Sequence, residues 1–165
     1  MSKYNITEIK EKEASYRSAI SPELMDELET KIDEIIIVKK KFRDKDFSAV
    51  ELAKLLGTNA RYISAVTNLR FHLNYTSYVN QYRIREAMSI LVDKRYRNLK
   101  MEDVADMVGF SNRQSFYAAF FKIVGITPRE YKLQQIQFHP AIAVEPKKRG
   151  RKPLKKTGLK AKAKV

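Results

Sequence analysis

The sequence has no cysteine, which excludes disulfides and thiolate metal sites. It has two histidines, His72 and His139, isolated from one another and surrounded by no metal-ligand spacing. His72 reads as a helix-end or surface residue. No phosphate-cradling loop and no nucleophile motif occur, so neither catalysis nor a bound cofactor is expected. No apolar run approaches the length of a membrane span, and Met1 to Ile20 carries scattered charges with no apolar stretch. A soluble, cytosolic chain without a membrane partner is therefore expected. No segment alternates apolar and polar residues between turn signals, so no strand is predicted. What remains is an all-α protein.

Its charge is uneven. The chain of 165 residues has 33 Lys and Arg against 19 Asp and Glu, a net +14. Residues 138–165 alone hold ten of the basic residues and one Glu, so the rest is only mildly basic. With 44% hydrophobic residues the body can build a core, whereas the tail from Pro140 offers Pro, Gly and Lys and cannot order itself. A surplus of this size attracts polyanions, of which nucleic acid is the commonest in a cell.

Along the chain, residues 1–20 read as a flexible segment. Ser21-Pro22-Glu23 supplies an N-cap, Pro at the first helical position and an acidic first turn. The helix it opens carries an apolar stripe of Leu24, Leu28, Ile32, Ile35 and Ile36, and Lys39 to Lys41 suit its end. This stripe is a core face or, alternatively, the seam of a homodimer through residues 21–42. Ser48 to Glu51 forms a capping box for a short helix stopped by Gly57, and a second helix runs from about Asn59 to Leu69. A long helix follows over 76–92, with Tyr78, Val79, Tyr82, Ile84, Ala87, Met88 and Leu91 as candidate buried positions. Met101 to Val108 is another short helix stopped by Gly109. Ser111 to Gln114 reads as a second box opening a helix to Val124, and Thr127 to Glu130 as a third, opening a last helix to about Gln137.

Within this order lies an internal repeat. Leu52-Ala53-x-x-Leu56-Gly57 recurs 52 residues later as Val104-Ala105-x-x-Val108-Gly109. After a one-residue insertion, Ile63, Val66 and Thr67 answer Phe116, Ala119 and Phe120. Each copy is a short helix, a glycine turn and a second helix, the helix-turn-helix arrangement. Ala53 and Ala105 belong where two helices cross closely, and the glycines where the turn needs positive φ. One such hairpin is a weak signal, but two joined by a helix are selective. A linking helix of about 17 residues spans roughly 25 Å. That length suits two recognition helices one turn of B-DNA apart, about 34 Å.

The outward faces then name the candidate DNA contacts. In the first copy these are Asn59, Ala60, Arg61, Tyr62, Ser64, Ala65 and Asn68. In the second they are Asn112, Arg113, Gln114, Ser115, Tyr117, Ala118 and Lys122, with Phe116, Ala119, Phe120 and Ile123 turned inward. Arg113 suits guanine and Gln114 suits adenine by bidentate contacts worth about 1–3 kcal/mol each. Ser115 or Asn112 suits a phosphate. A plain solvated face is the alternative for any one of these residues, but not for both faces together.

These residues carry a family resemblance. Val104-Ala-Asp-Met-Val-Gly-Phe-Ser111, Ser115-Phe-x-x-x-Phe120 and Gly125-Ile-Thr-Pro-Arg-Glu-Tyr131 resemble the C-terminal signature of the AraC family of bacterial transcription regulators. Leu52-Ala-Lys-Leu-Leu-Gly57, Tyr62-Ile-Ser64 and Tyr82-Arg-Ile-Arg-Glu-Ala87 are similar to its first half. The resemblance covers roughly residues 47–134. It implies a seven-helix DNA-binding domain with two helix-turn-helix units, whose activating members often contact RNA polymerase. It also implies a DNA-facing set of Arg61, Ser64 and Ala65 with Arg113, Gln114, Ser115, Tyr117 and Ala118. Three departures stand out. Ala65 and Ala118 occupy positions where Arg is frequent, Phe121 replaces a usual Lys, and the 46 preceding residues are too few for a sensor domain. No small-molecule effector is therefore expected.

The basic run Lys147, Lys148, Arg149, Gly150, Arg151 and Lys152 resembles an AT-hook, whose Arg-Gly-Arg core enters the minor groove of A·T-rich DNA. Lys152 separates Arg151 from the usual Pro, and a polybasic tail adding sequence-independent affinity is the alternative. The expected organisation is a segment 1–20, a helix and linker 21–46, a DNA-binding domain 47–137 (units at about 48–69 and 101–124) and a basic tail 138–165. The expected function is a sequence-specific, nucleoid-associated transcription regulator bound to double-stranded DNA. An architectural nucleoid protein driven by the tail and a protein-binding adaptor are the rivals.

Overall fold

The computed structural model describes residues 20–138. The fold follows from local signals along the chain. Helix α1, Pro22–Asp33, is capped by the Ser21 hydroxyl, which accepts from the Leu24 N–H at 3.3 Å, and has Pro22 at its start. It widens into a π-helical turn over Glu34–Val38 and ends at Lys40, whose φ of 54° is left-handed. A 3-10 turn at Lys41–Arg43 follows. Then come α2, Ala49–Leu55, and α3, Ala60–Phe71. The long α4, Tyr75–Val92, leads through a 3-10 turn at Lys94–Tyr96 to α5, Met101–Met107, and α6, Arg113–Val124. Helix α7, Pro128–Phe138, closes the described chain. Every regular element among the described residues is helical.

Two cores form, and α4 contributes to both. The first gathers Leu28, Ile32, Ile35, Ile36, Phe42, Leu52, Ala53, Ile63, Val66, Tyr75, Tyr78 and Val79. The second gathers Ile84, Ala87, Ile90, Leu91, Val104, Ala105, Val108, Phe110, Phe116 and Phe120. The N-terminal half of α4 thus belongs to one unit and its C-terminal half to the other. Tyr82 and Met88, among the candidate buried positions, are half-buried at the margins of these cores.

The apolar stripe of α1 lies inside the first core. A dimer seam through residues 21–42 would need those same side chains, and Leu28, Ile32, Ile35 and Ile36 are already spent within the chain. Arg70 of α3 ties the two helices together, pairing with Asp26 and with Glu29 at 3.4 Å. Tyr78 donates its buried hydroxyl to Asp33.

The two turns of the repeat share their hydrogen bonds. Gly57 N–H donates to Lys54 O and Thr58 N–H to Ala53 O; Gly109 N–H donates to Asp106 O and Phe110 N–H to Ala105 O. Both are Schellman ends in which glycine takes the left-handed position, with φ of 65° and 93°. Ala53 and Ala105 are buried, as the close helix crossing demands.

Tyr75 gives a pH prediction. Burial pushes its phenol up to about 12, and the hydroxyl donates to Phe47 O at 3.2 Å. A folded-state value raised above the unfolded one means stability present below pH 10 and lost as pH rises towards 12. Denaturant melts should therefore lose roughly 2–3 kcal/mol across that window, and Tyr75→Phe should remove part of the loss. Tyr78, pushed up by burial and by Asp33, contributes to what remains.

Candidate nucleic-acid interface

Each second helix of the repeat starts at an asparagine. The Asn59 side-chain oxygen accepts from the Tyr62 N–H at 3.0 Å, and that of Asn112 from the Ser115 N–H at 2.8 Å. Asn112, not Ser111, is therefore the N-cap of α6. The one-residue insertion sits in the turn before it, where Phe110 is buried in the second core. The internal symmetry is closer than the repeat alone suggests, because α3 and α6 also end alike. His72 and Gly125 both take the left-handed C-cap position, with φ of 56° and 84°. His72 is thus an exposed helix-end residue, and among the described residues no group of three or more His, Cys, Asp or Glu could hold a metal ion.

Charge singles out the same two helices. Helices α1, α2, α5 and α7 carry acid in their first turns, which offsets the positive end of the helix dipole. Helices α3, α4 and α6 carry none, and of these only α3 and α6 contain no Asp or Glu at all. Their N-terminal ends and outward faces therefore keep a positive potential suited to phosphate.

The exposed arcs of the two helices differ. On α3, Arg61, Ser64 and Asn68 form one exposed stripe, and Asn59 is exposed at its head. Ala60 and Tyr62 are half-buried against the first core. Ala65, expected to face outward, is 8% exposed and lies inside. With α1 packed along α3, the outward arc is narrower than helical periodicity in isolation implies. The amide of Asn68 donates to Ser64 O at 2.7 Å, which holds it along the helix.

On α6 the arc is broad. Asn112, Arg113, Gln114, Ser115, Ala118 and Lys122 are all exposed, while Tyr117 is half-buried with its ring edge-on to Phe116. Ile123, expected inward, is 42% exposed, so Phe116 and Phe120 supply the buried face of α6 with Ala119 half-buried beside them. Phe121 is 58% exposed on the same side as Ala118. The guanidinium of Arg113 lies 4.9 Å over the Tyr117 ring and 3.0 Å from Glu102 of α5. Tyr117 and then Glu102 favour its charged form.

The sequence pattern of the helix-turn-helix domain family matches residues 52–134. This chain belongs to the helix-turn-helix domain family. A Bacillus subtilis protein named as an HTH-type transcriptional regulator is 28% identical over 103 residues, 62% of this chain and 13% of that protein. The chain also spans 47% of the length of a second curated relative. Among solved structures, the C-terminal domain of the two-component response regulator yesN from Fusobacterium nucleatum is 27% identical with a TM-score of 0.54. That likeness covers 61% of this chain and 97% of the other. A Chromobacterium violaceum regulator described as containing an AraC-type DNA-binding domain is alike in fold, with a TM-score of 0.56 at 19% identity over 66% of this chain and 95% of that one.

Fold and family are those of a helix-turn-helix domain, a transcriptional-regulator-like fold consistent with DNA binding. Among the described residues of this helix-turn-helix protein, no helix is long and apolar enough to cross a membrane. The basic run Lys147, Lys148, Arg149, Gly150, Arg151 and Lys152 lies outside the described residues. Sequence reasoning missed Arg83, Lys45 and Glu86, which touch both units. Their signal is weak, because charged residues such as Arg83 and Glu86 on a long helix read as a solvated face, and Lys45 in a turn reads the same way.

The caps give a stability prediction. Asn59→Ala and Asn112→Ala should each cost about 1 kcal/mol, measured by urea unfolding. Asn→Ser at either position should recover most of it, since a hydroxyl can accept the same bond. A loss that serine does not restore would mean the asparagines act through something other than the cap.

Proposed function

We propose that this chain is a sequence-specific transcription regulator of the AraC type, placing α3 and α6 in successive major grooves on one face of double-stranded DNA. The observation that carries the reading is the matched pair of acid-free helices, each started by an asparagine cap and each presenting Arg and small polar side chains outward. The spacing supports it. Helix α4 has 18 residues, a rise of roughly 27 Å at about 1.5 Å each, and it belongs to one unit at each end. Adding the width of the units brings the two reading helices towards the repeat of B-DNA, about 34 Å.

In this reading Gln114 and Arg113 make the base contacts of the second half-site, with Arg113 exchanging Glu102 for a guanine edge. Ala118 and Phe121 extend the contact apolarly, towards thymine methyl groups. The narrower arc of α3 gives the first half-site fewer direct contacts, through Arg61 and Ser64, with more reliance on phosphate and DNA shape. The basic run 147–152 adds affinity that is common to all sequences. RNA polymerase is a further candidate partner, through the family resemblance alone.

Selection of bound duplexes from a random pool should return an asymmetric site with two half-sites about one helical turn apart. Recovery of A·T richness alone, abolished by deletion of residues 139–165, would favour an architectural DNA-binding protein instead. Arg113→Ala should relax preference at one base pair, worth about 1–3 kcal/mol of discrimination. Neutralising Lys147, Lys148, Arg149, Arg151 and Lys152 should weaken all duplexes alike and flatten the salt dependence.

A further inference from the structure

Helix α4 is not the sole link between the two units. Residues 40–46, between α1 and α2, touch both. Arg83, on α4, donates from Nε to Phe42 O at 2.6 Å and from a terminal nitrogen to Asp44 O at 2.9 Å. Phe42 is buried in the first core. The same guanidinium lies 5.5 Å over the ring of Phe110, which is buried in the second core. One side chain therefore touches the first unit's main chain and the second unit's turn. Burial pushes its guanidinium below the ordinary range.

Gly109 brings the contact closer still. A Cβ there would lie 2.6 Å from Arg43 O and 2.7 Å from Phe42 O, distances no real side chain occupies. Gly57, the equivalent residue of the first unit, has nothing within 4 Å of that position. Glycine is needed in both turns for positive φ, but only the second turn rests on another stretch of backbone. Around this contact, Arg43 donates from Nε to Glu86 of α4 at 2.7 Å, and from a terminal nitrogen to the other carboxylate oxygen. Lys40 stands 3.9 Å from the same group. Lys45 pairs with Asp106 of α5.

We propose that residues 40–46 form a clasp that fixes the angle between α3 and α6, and so restricts the chain to one spacing of half-sites. A lone helix joining two units leaves a hinge, because bending or rotating it moves one unit as a body. A second connection, anchored on Arg83 and pressed on Gly109, removes that freedom. The consequence for recognition rests on the DNA-reading function proposed above. Adding one base pair between half-sites turns the second by about 35° and shifts it by about 3.4 Å, which a hinged protein can follow and a clasped one cannot.

The test uses the full chain, whose lack of cysteine allows labelling without background. Spin labels at Lys54→Cys on α2 and Gln134→Cys on α7, both exposed and outside the proposed interface, report the distance between units without DNA. Gly109→Ala and the double variant Arg83→Met/Lys45→Ala, which removes the donors to Phe42 O and Asp44 O and the pair with Asp106, are then added. A narrow distance distribution that broadens in either variant, with helical signal and a cooperative melt retained, supports the clasp. A distribution left narrow by the double variant overturns it, even where Gly109→Ala fails to fold. On duplexes carrying the selected site, one inserted base pair should weaken the parent about tenfold and the double variant by about threefold or less. Equal losses in both overturn the link to spacing. Absence of any selected site would overturn the DNA-reading function, while the label distances would still judge the clasp.

Discussion

The guanidinium of Arg83 is placed where the two halves of this chain meet. It satisfies the carbonyls of Phe42 and Asp44, which the path between α1 and α2 leaves without helical partners, and its flat face covers Phe110. The Phe42 carbonyl is part-buried and costly to leave without its donor, and the half-buried cation is costlier to leave without acceptors. The Gly109 turn can press on Arg43 because the segment is held down from the other side.

Around that junction the molecule is a duplication with unequal halves. Both units cross their helices at an alanine, turn through a left-handed glycine and start the second helix with an asparagine cap. The first unit has α1 laid along its second helix, tied by Arg70 to Asp26 and Glu29. The second unit leaves α6 with a wide exposed arc, and α7 packs mainly on α4. Two copies of one local plan therefore present different surfaces, an asymmetry suited to a site that is not a palindrome.

Much of this was legible in the residues. The repeat, the all-α class and the exposure of Arg61, Ser64, Arg113, Gln114 and Ala118 follow from helical spacing and turn chemistry, both local properties. Ala65 and Ile123 depart from the expected faces because periodicity gives the direction of a side chain but not what lies beyond it. Ala65 falls within the covered part of α3, and Ile123 passes the edge of its core. Ser111 imitates the cap of α6, because a hydroxyl three residues before Gln114 has the spacing of a capping box. The inserted residue in the turn moves the helix start to Asn112, which keeps α6 in step with α3.

The sequence by itself determined the order of helices, their caps and stops, and which two of them lack acid, because each depends on residues within a few positions of one another. Only the tertiary structure decided that the stripe of α1 is spent in the first core, and that Gly109 is closed off by main chain while Gly57 is open. It alone brought Arg83, Arg43 and Lys45 to one junction. Those outcomes depend on contacts between residues some 40 to 60 positions apart, and no local pattern encodes which surfaces such distant segments will bring together.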